Sequence, residues 1–325
     1  MNESIKDQDK MNQKYSLEFS GNGWEYFKIL IVNWLLTVIT LGIYYAWGRA
    51  KKLRYIYSNT NLNKERFHFT GTGLEMFLGL IKVIGLYIVF VIVFQVISYY
   101  YPLIGLLFFY CVIVAIIPYS IHASLRYKMS RTSYRGIRFG YRGKLGDLSK
   151  KWFLGVLLTI VTFGIYSSWL QMKIRRYTHR NIRFGDINFS NEAKGGEYFL
   201  INLLGYIFSF LSLGIYTFWW NSRLFNYYYD NLELTRKDEK IKCSGTSTGG
   251  GFFGLLVGNF LIILFTLGLG RAWADIRTQK FICKNVELEG DIDINEIYQT
   301  EEEYKNAMGE GSSDYLEIDS AISPL

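Results

Sequence analysis

Proline, cysteine and histidine are almost missing from this chain, at three residues each in 325. With so little proline, long helices can run unbroken. Cys111, Cys243 and Cys283 are far apart, form no C-x-x-C pair and are odd in number. That excludes a paired disulfide framework and leaves reduced thiols. His68, His122 and His179 share no metal-ligand spacing, and neither H-E-x-x-H nor G-x-S-x-G occurs. No catalytic, metal or cofactor residue is expected, and no enzyme activity. GTSTGGG at 245–251 looks like a phosphate loop but lacks the G-K-[ST] ending, so it reads as a turn. The opening MNESIKDQDK is polar and mixed in charge, without the apolar core of a cleaved leader. Charged residues are scarce too, at 20% against the roughly 25% of a soluble domain.

Apolar and aromatic residues fill the chain instead: half is hydrophobic, with 26 Tyr and 24 Phe. Six windows could each cross a bilayer, which takes about 20 apolar residues. They are 26–47, 77–97, 103–121, 152–169, 198–219 and 252–273. The second carries one charge, Lys82, near enough to its start to snorkel. The third carries none, and SYYYP between them leaves room only for a tight hairpin. Charge is divided sharply. From 285 to 325 there are twelve acidic residues and one basic, a net −11, whereas 1–284 hold 35 basic and 16 acidic, a net +19. The basic residues flank apolar spans, so the expected partners are the lipid bilayer and its anionic phospholipid headgroups, not nucleic acid.

The apolar windows are copies of one another. TLGIYYAW at 40–47 returns as TFGIYSSW at 162–169, as SLGIYTFW at 212–219, and more loosely as TLGLGRAW at 266–273. Four residues after each Trp comes a cation (Lys51, Lys173, Arg223, Arg277), eight after it an aromatic, and twelve after it Asn59, Asn181, Asn231 or Asn285. Upstream, GWEYF at 23–27 matches GGEYF at 195–199. A divergent copy starting GLEMF at 73–77 contains the hairpin. The fold expected is mainly α: a polytopic membrane protein of about five repeats (19–72, 73–142, 143–190, 191–244, 245–290). A polar tail (1–18) precedes them and an acidic tail (291–325) follows. Each repeat is an apolar helix, a hinge, a basic interfacial helix and a short strand-like stretch such as ERFHFTG or GDINFSN.

Two sets of residues are candidates for contact. Lys51, Arg54, Lys173, Arg176, Arg223 and Arg277 sit among aromatic rings at helical spacing, as suits binding at headgroup level. Asn33, Asn202 and Asn259 lie inside apolar segments, where an amide must find a partner, usually on a facing helix. Glu25, Glu75 and Glu197 precede apolar segments, where a carboxylate favours a helix N-terminus.

The L-G-I-Y-x-x-W of 41–47, the R-Y-x-x-x-N of 54–59 and the F-x-F-T-G-T-G of 67–73 resemble the YjgN family (domain of unknown function 898). The ending MGEGSSDYLEIDSAI at 308–322 is similar to that family's acidic tail. The resemblance covers nearly the whole chain from about Phe19. It implies a bacterial inner-membrane protein with several spans and carries no activity with it. The last repeat departs from the pattern, with Gly270 where Tyr is expected.

Lys and Arg mark cytoplasmic loops, and they number six in 48–76, nine in 123–151, six in 170–196 and five in 220–251, with none in 98–102. Six simple spans would put these segments on both faces. In one arrangement the four hinged segments enter and return on the same side, and only 77–121 crosses. In the other, all six span and the charge bias is overridden. The acidic tail is expected in the cytoplasm. The function expected is that of a repeat-built scaffold or lipid-interacting protein, with a transporter or channel for a lipid or small solute as the alternative.

Overall fold

The computed structural model describes residues 13–237 and 239–300. Helical pairs alternate with strand pairs along them. Strands β1 (Gln13–Tyr15) and β2 (Leu17–Phe19) lead into helices α1 (Gly23–Ile39) and α2 (Tyr45–Ser58). Next come β3 (Thr60–Leu62), β4 (Glu65–Phe69), α3 (Gly73–Tyr100) and α4 (Pro102–Arg131). They are followed by β5 (Thr132–Tyr134), β6 (Ile137–Tyr141), α5 (Leu145–Val161), α6 (Ser167–Arg180), β7 (Ile182–Phe184) and β8 (Ile187–Asn191). The last are α7 (Gly195–Leu211), α8 (Thr217–Asp230), β9 (Leu232–Arg236), β10 (Glu239–Gly245), α9 (Gly249–Phe265), α10 (Arg271–Lys284) and β11 (Val286–Gly290). In four of the five pairs the first helix has 17 residues and the second 14. The remaining pair, α3 and α4, runs 28 and 30.

Four of the six apolar windows are therefore not single helices. In each, the first helix stops one residue before the hinge Thr or Ser, and the chain turns back. The reason is local. Leu41, Phe163, Leu213 and Leu267 take φ of 50–51°, and the glycine after each takes φ of 91–94°, a left-handed pair that no α-helix can continue through.

The strands form one antiparallel sheet in the order β1-β11-β10-β9-β8-β7-β6-β5-β4-β3-β2. Tyr15 of β1 lies opposite Leu288, and Leu17 of β2 opposite Leu62. Since β1 and β2 are halves of one segment joined at Ser16, the order returns on itself. Asn63 fixes that joint by accepting from Ser16 N through Oδ1 (2.9 Å) and donating its own N–H to Ser16 O (2.8 Å). The stretch 1–18 is thus not wholly a tail. Tyr15, Leu17 and Phe19 alternate with Lys14, Ser16 and Glu18, the two-residue period of a strand, and residues 1–12 lie outside the described part.

Every strand except β2 sends a side chain into a single cluster inside the sheet, including Leu62, Phe67, Tyr134, Phe184, Ile187, Ile241 and Leu288. The cluster is completed by Ile292, Ile294 and Ile297, all buried. Three isoleucines in the first ten residues of the expected acidic tail therefore turn inward while Asp293, Glu296 and Tyr298 stay exposed, and only 301–325 of that tail lie outside the described residues. Arg236 holds this segment: it donates to Asp186 (2.6 Å) and to the carbonyl of Glu296 (2.8 Å). Tyr15 Oη donates to the carbonyl of Ile292 (2.6 Å).

The helices form a ring above the sheet. Each packs on the helix before and after it, and α10 packs on α1. The closing contact follows a rule seen around the ring, in which the hinge Trp of one unit covers the glycine that opens the next helix. A Cβ on Gly73, Gly195 or Gly249 would lie 2.4–2.5 Å from Trp47, Trp169 or Trp219, and one on Gly23 would lie 2.4 Å from Trp273. Pro118 inside α4 has no N–H for the carbonyl of Val114, and Trp152 Nε1 of α5 donates to that carbonyl instead (2.9 Å).

Candidate functional site

Each helix pair starts and ends at the sheet, so the five turns between paired helices all lie at the far end of the ring. Four of them are built alike. In the first, Leu41 N donates to Val38 O (3.1 Å) and Gly42 N to Thr37 O (2.8 Å), a Schellman closure of α1. One hydroxyl then serves both helices: Thr40 Oγ1 donates to Leu36 O (2.7 Å) and accepts from Tyr44 N (2.9 Å). Thr162 and Thr266 repeat this, and Ser212 accepts from Tyr216 N (2.8 Å). The polar backbone of the tip is thus bonded within itself.

The side chains at the tip are the reverse of polar. Leu41, Leu213 and Leu267 are 94% exposed and Phe163 is 98% exposed. Holding a side chain at left-handed φ costs about 1–2 kcal/mol, and glycine would avoid that cost. Water offers nothing in return for the exposed leucine. Apolar surroundings do, at about 1.5–3 kcal/mol for a Leu or Phe side chain. An internally bonded backbone beneath an exposed apolar side chain is what a segment in hydrocarbon requires.

Where each hinged pair touches, one position in each helix decides the fit. Seven residues before the hinge Thr or Ser stand Asn33, Gly155, Gly205 and Asn259, and eight after it Gly48, Leu170, Trp220 and Ala274. A small residue facing asparagine leaves room for an amide. Asn33 Nδ2 donates to Gly48 O (3.1 Å), and Asn259 Nδ2 to Ala274 O (3.3 Å) and Thr278 Oγ1 (3.0 Å). A large facing residue requires glycine, since a Cβ on Gly155 or Gly205 would sit 2.3–2.4 Å from Leu170 or Trp220. Asn202 is three positions away from this site and bonds its own helix at Tyr198 O (2.7 Å).

The six basic candidates fall into three groups. Lys51 donates to Tyr44 Oη (2.7 Å) and lies 5.4 Å from that ring's centre. Lys173 does the same with Tyr166, and Arg223 lies 5.9 Å from the Tyr216 ring. Arg277 has no hinge tyrosine to reach, because Gly270 stands there, and donates to Gly254 O (3.2 Å). Arg54 and Arg176 turn toward the connecting turns, donating to Gly71 O (3.2 Å) and Ala193 O (2.9 Å).

At the base, Tyr55, Tyr177 and Tyr227 clamp the residue before the first helix, each accepting from its N–H and donating to its carbonyl (2.7–3.0 Å). Glu75 forms a capping box with Thr72 and an ion pair with Arg131 (2.7 Å). Glu25 and Glu197 accept from Tyr55 and Tyr227 (3.3 and 3.4 Å). In the sheet, burial pushes the Tyr15 phenol and the Cys243 thiol up to about 12 each, so both are protonated at neutral pH. His179 is bonded on both ring nitrogens, to Arg175 O and Tyr228 Oη. Among the described residues no three His, Cys, Asp or Glu side chains are grouped to hold a metal.

These features define a class: a ring of helical hairpins standing on a strand ring, with α3 and α4 long and apolar enough to cross a membrane. The chain matches a family described as bacterial protein of unknown function (DUF898) over residues 14–211 and 206–315, and it belongs to that family. It is 34% identical over 166 residues to the inner membrane protein YjgN of Salmonella typhimurium, covering 51% of this chain and 40% of that protein. It is 35% identical over 147 residues to the protein of that name from Escherichia coli O157:H7, covering 45% of this chain and 36% of that protein. The chain thus spans about two fifths of the length of these curated relatives. No solved structure matches it.

Proposed function

We propose that this chain is an inner-membrane protein whose helical ring enters the bilayer from one side, and that it acts as a scaffold gripping anionic lipid and not as an enzyme. In this reading α3 and α4 cross, the four hinged pairs enter one leaflet and turn back, and the strand ring lies at the cytoplasmic surface. The observation that carries it is the set of four tips, with hydrogen-bonded backbone and exposed Leu or Phe at left-handed φ. Lengths agree. From Ile29, just past Glu25 and Lys28, to Ile39 is eleven residues, or about 16 Å of helix, half of the roughly 30 Å hydrocarbon core. Arginines and lysines cluster at the strand ends and turns, including Lys64, Arg135, Arg142 and Lys237, as the positive-inside bias favours for a cytoplasmic face. The relatives named inner membrane proteins support the location.

Single cysteines at Leu41, Phe163, Leu213 and Leu267, carrying an environment-sensitive label in proteoliposomes, test this. The expected result is strong quenching by lipids brominated near the chain ends, with cysteines at Asn63 and Arg135 reacting with an impermeant reagent from the cytoplasmic side only. Reaction at any hinge tip from the periplasmic side would sink the same-side arrangement.

A channel is the second reading, favoured by one observation: every helix packs on its two ring neighbours, and the last packs on the first. Ten helices about 8–10 Å apart then surround an axis at roughly 13–16 Å. Ile292, Ile294 and Ile297 fill the inside of the strand ring below that axis, so solute flux should rise when 291–325 are removed.

A further inference from the structure

Among the described residues two arginines are more than nine-tenths buried, Arg236 at 6% exposure and Arg175 at 8%. The fold answers them differently. Arg236 is bonded to Asp186 and to the carbonyl of Glu296. Arg175 pairs with no carboxylate among the described residues, and its Nε has no hydrogen-bond partner. Two phenol rings flank its guanidinium instead, with the Tyr228 ring centre at 4.8 Å and the Tyr198 ring centre at 5.9 Å. Such contacts offset part of the cost of burying a charge, but they bring no oxygen to Nε and no negative charge.

The polar groups around Arg175 are committed elsewhere. His179 Nδ1 donates to the Arg175 carbonyl (2.8 Å), and its Nε2 bonds Tyr228 Oη (2.9 Å), which fixes the Tyr228 ring beside the guanidinium. Thr178 Oγ1 donates to the same carbonyl (2.9 Å). Tyr198 Oη donates to Gln171 Oε1 (2.9 Å), which leaves the amide N–H groups of Gln171 as donors. The arrangement is peculiar to one unit, since the other hinged pairs carry Leu53, Phe225 and Gln279 at the position of Arg175.

Arg175 and Gln171 line a pocket of about 60 Å³ whose apolar wall comes from Ile117 and Ile121 of α4, Trp152 of α5 and Ile174 of α6. Gln171, one turn nearer the tip, is exposed, whereas Arg175 and Thr178 are buried. The pocket therefore opens toward the tips and ends toward the sheet. Its size and charge restrict what can fill it. Liquid water would fit about two molecules into such a volume, and these would leave the cation uncompensated. One guanidinium balances one negative charge. The room suffices for a terminal group, not for a phosphodiester with two ester arms. A carboxylate on a single alkyl stem meets both limits: its two oxygens match the N–H fork of arginine, and its first methylenes lie on isoleucine.

We propose that this pocket binds the carboxylate of one fatty acid, with Arg175 and Gln171 donating to its oxygens and the alkyl chain running past Ile117 toward the hinge tips. The proposal rests on the membrane-ring reading, because that chain needs hydrocarbon around the tips, and its test can fail separately. The full chain, purified in a mild detergent, is incubated with oleate, with oleyl alcohol or with acetate, and bound species are counted by native mass spectrometry. One oleate per chain is expected, retained in preference to oleyl alcohol and not displaced by millimolar acetate. Arg175→Gln should weaken that retention by about tenfold or more. Gln171→Leu, at an exposed position, should weaken it by about threefold to fivefold, and it keeps the test decisive where Arg175→Gln does not fold. Arg180→Gln, which removes an exposed cation from the same helix, should leave it unchanged. Equal retention of oleate and oleyl alcohol, full retention in either pocket variant, equal loss in Arg180→Gln, or displacement by acetate would each overturn the site. None of these outcomes alters quenching at the hinge tips, which tests the ring itself.

Discussion

The four hinged helix pairs and the α3–α4 pair start from the same base and end differently. At the base both kinds rise from antiparallel strands, and in two hinged pairs and the long one a first-turn carboxylate bonds to the returning helix, through Tyr55 or Tyr227 in the hinged pairs and through Arg131 in the long one. At the tip they part. The hinged pairs turn back after 17 residues, at a left-handed Leu or Phe followed by glycine, whereas α3 runs for 28 residues and turns at Tyr101 and Pro102. A two-residue backbone choice therefore separates a 17-residue helix from one of 28 residues, long enough to span. It does so without disturbing the sheet that both share.

The largest expected effect tests that shared sheet. Arg236 and Asp186 are 8% and 9% exposed, and Arg236→Ala leaves the aspartate buried and unpaired, a loss of about 3–5 kcal/mol. Denaturation in detergent should then show both kinds of hairpin melting together. Separate transitions would mean that the sheet does not couple them. The match between facing helices comes next. Gly205→Asn forces a side chain against Trp220 and should cost about 1–3 kcal/mol. Adding Trp220→Gly recreates the pairing of Asn33 with Gly48 and should recover part of the loss in a double-mutant cycle. Absence of coupling would break the proposed complementarity.

A smaller loss is expected at the base. Tyr227→Phe removes the clamp on Lys194 and should cost about 1 kcal/mol, a change that the last hinged pair already carries as Phe281. The smallest effect has the opposite sign. Leu213→Gly relieves the left-handed strain and should raise stability in detergent by up to about 1 kcal/mol. In bilayers the same variant should bring a label on Leu211→Cys nearer the surface. Unchanged depth would show that the exposed leucine is not what seats the tip.

Much of this was legible in residue order alone. The hinge strings, the Trp-to-cation spacing and the recurring Asn59, Asn181, Asn231 and Asn285 mark equivalent positions, and each of those asparagines caps a returning helix by bonding four residues back. The end of the first helix was less legible. Windows of 18–22 apolar residues have the length of one span, and helix-ending signals place glycine, not leucine, at the left-handed position. Strands of three residues such as Thr60–Leu62 are too short for their period to be read. The pairing of Asn33 with Gly48, and of Gly205 with Trp220, links positions 15 apart across a turn whose geometry has to be known first.

Composition and repetition by themselves determined that the chain is apolar, helical, basic in its body and acidic at its end, because those properties depend on each residue's own chemistry and spacing. Only the tertiary structure decided that the chain closes into a ring. Closure needs β1 beside β11, Trp273 over Gly23, and Ile292 inside a sheet drawn from every unit. Those contacts join the two ends of the described chain, and no local pattern encodes a partner more than 200 residues away.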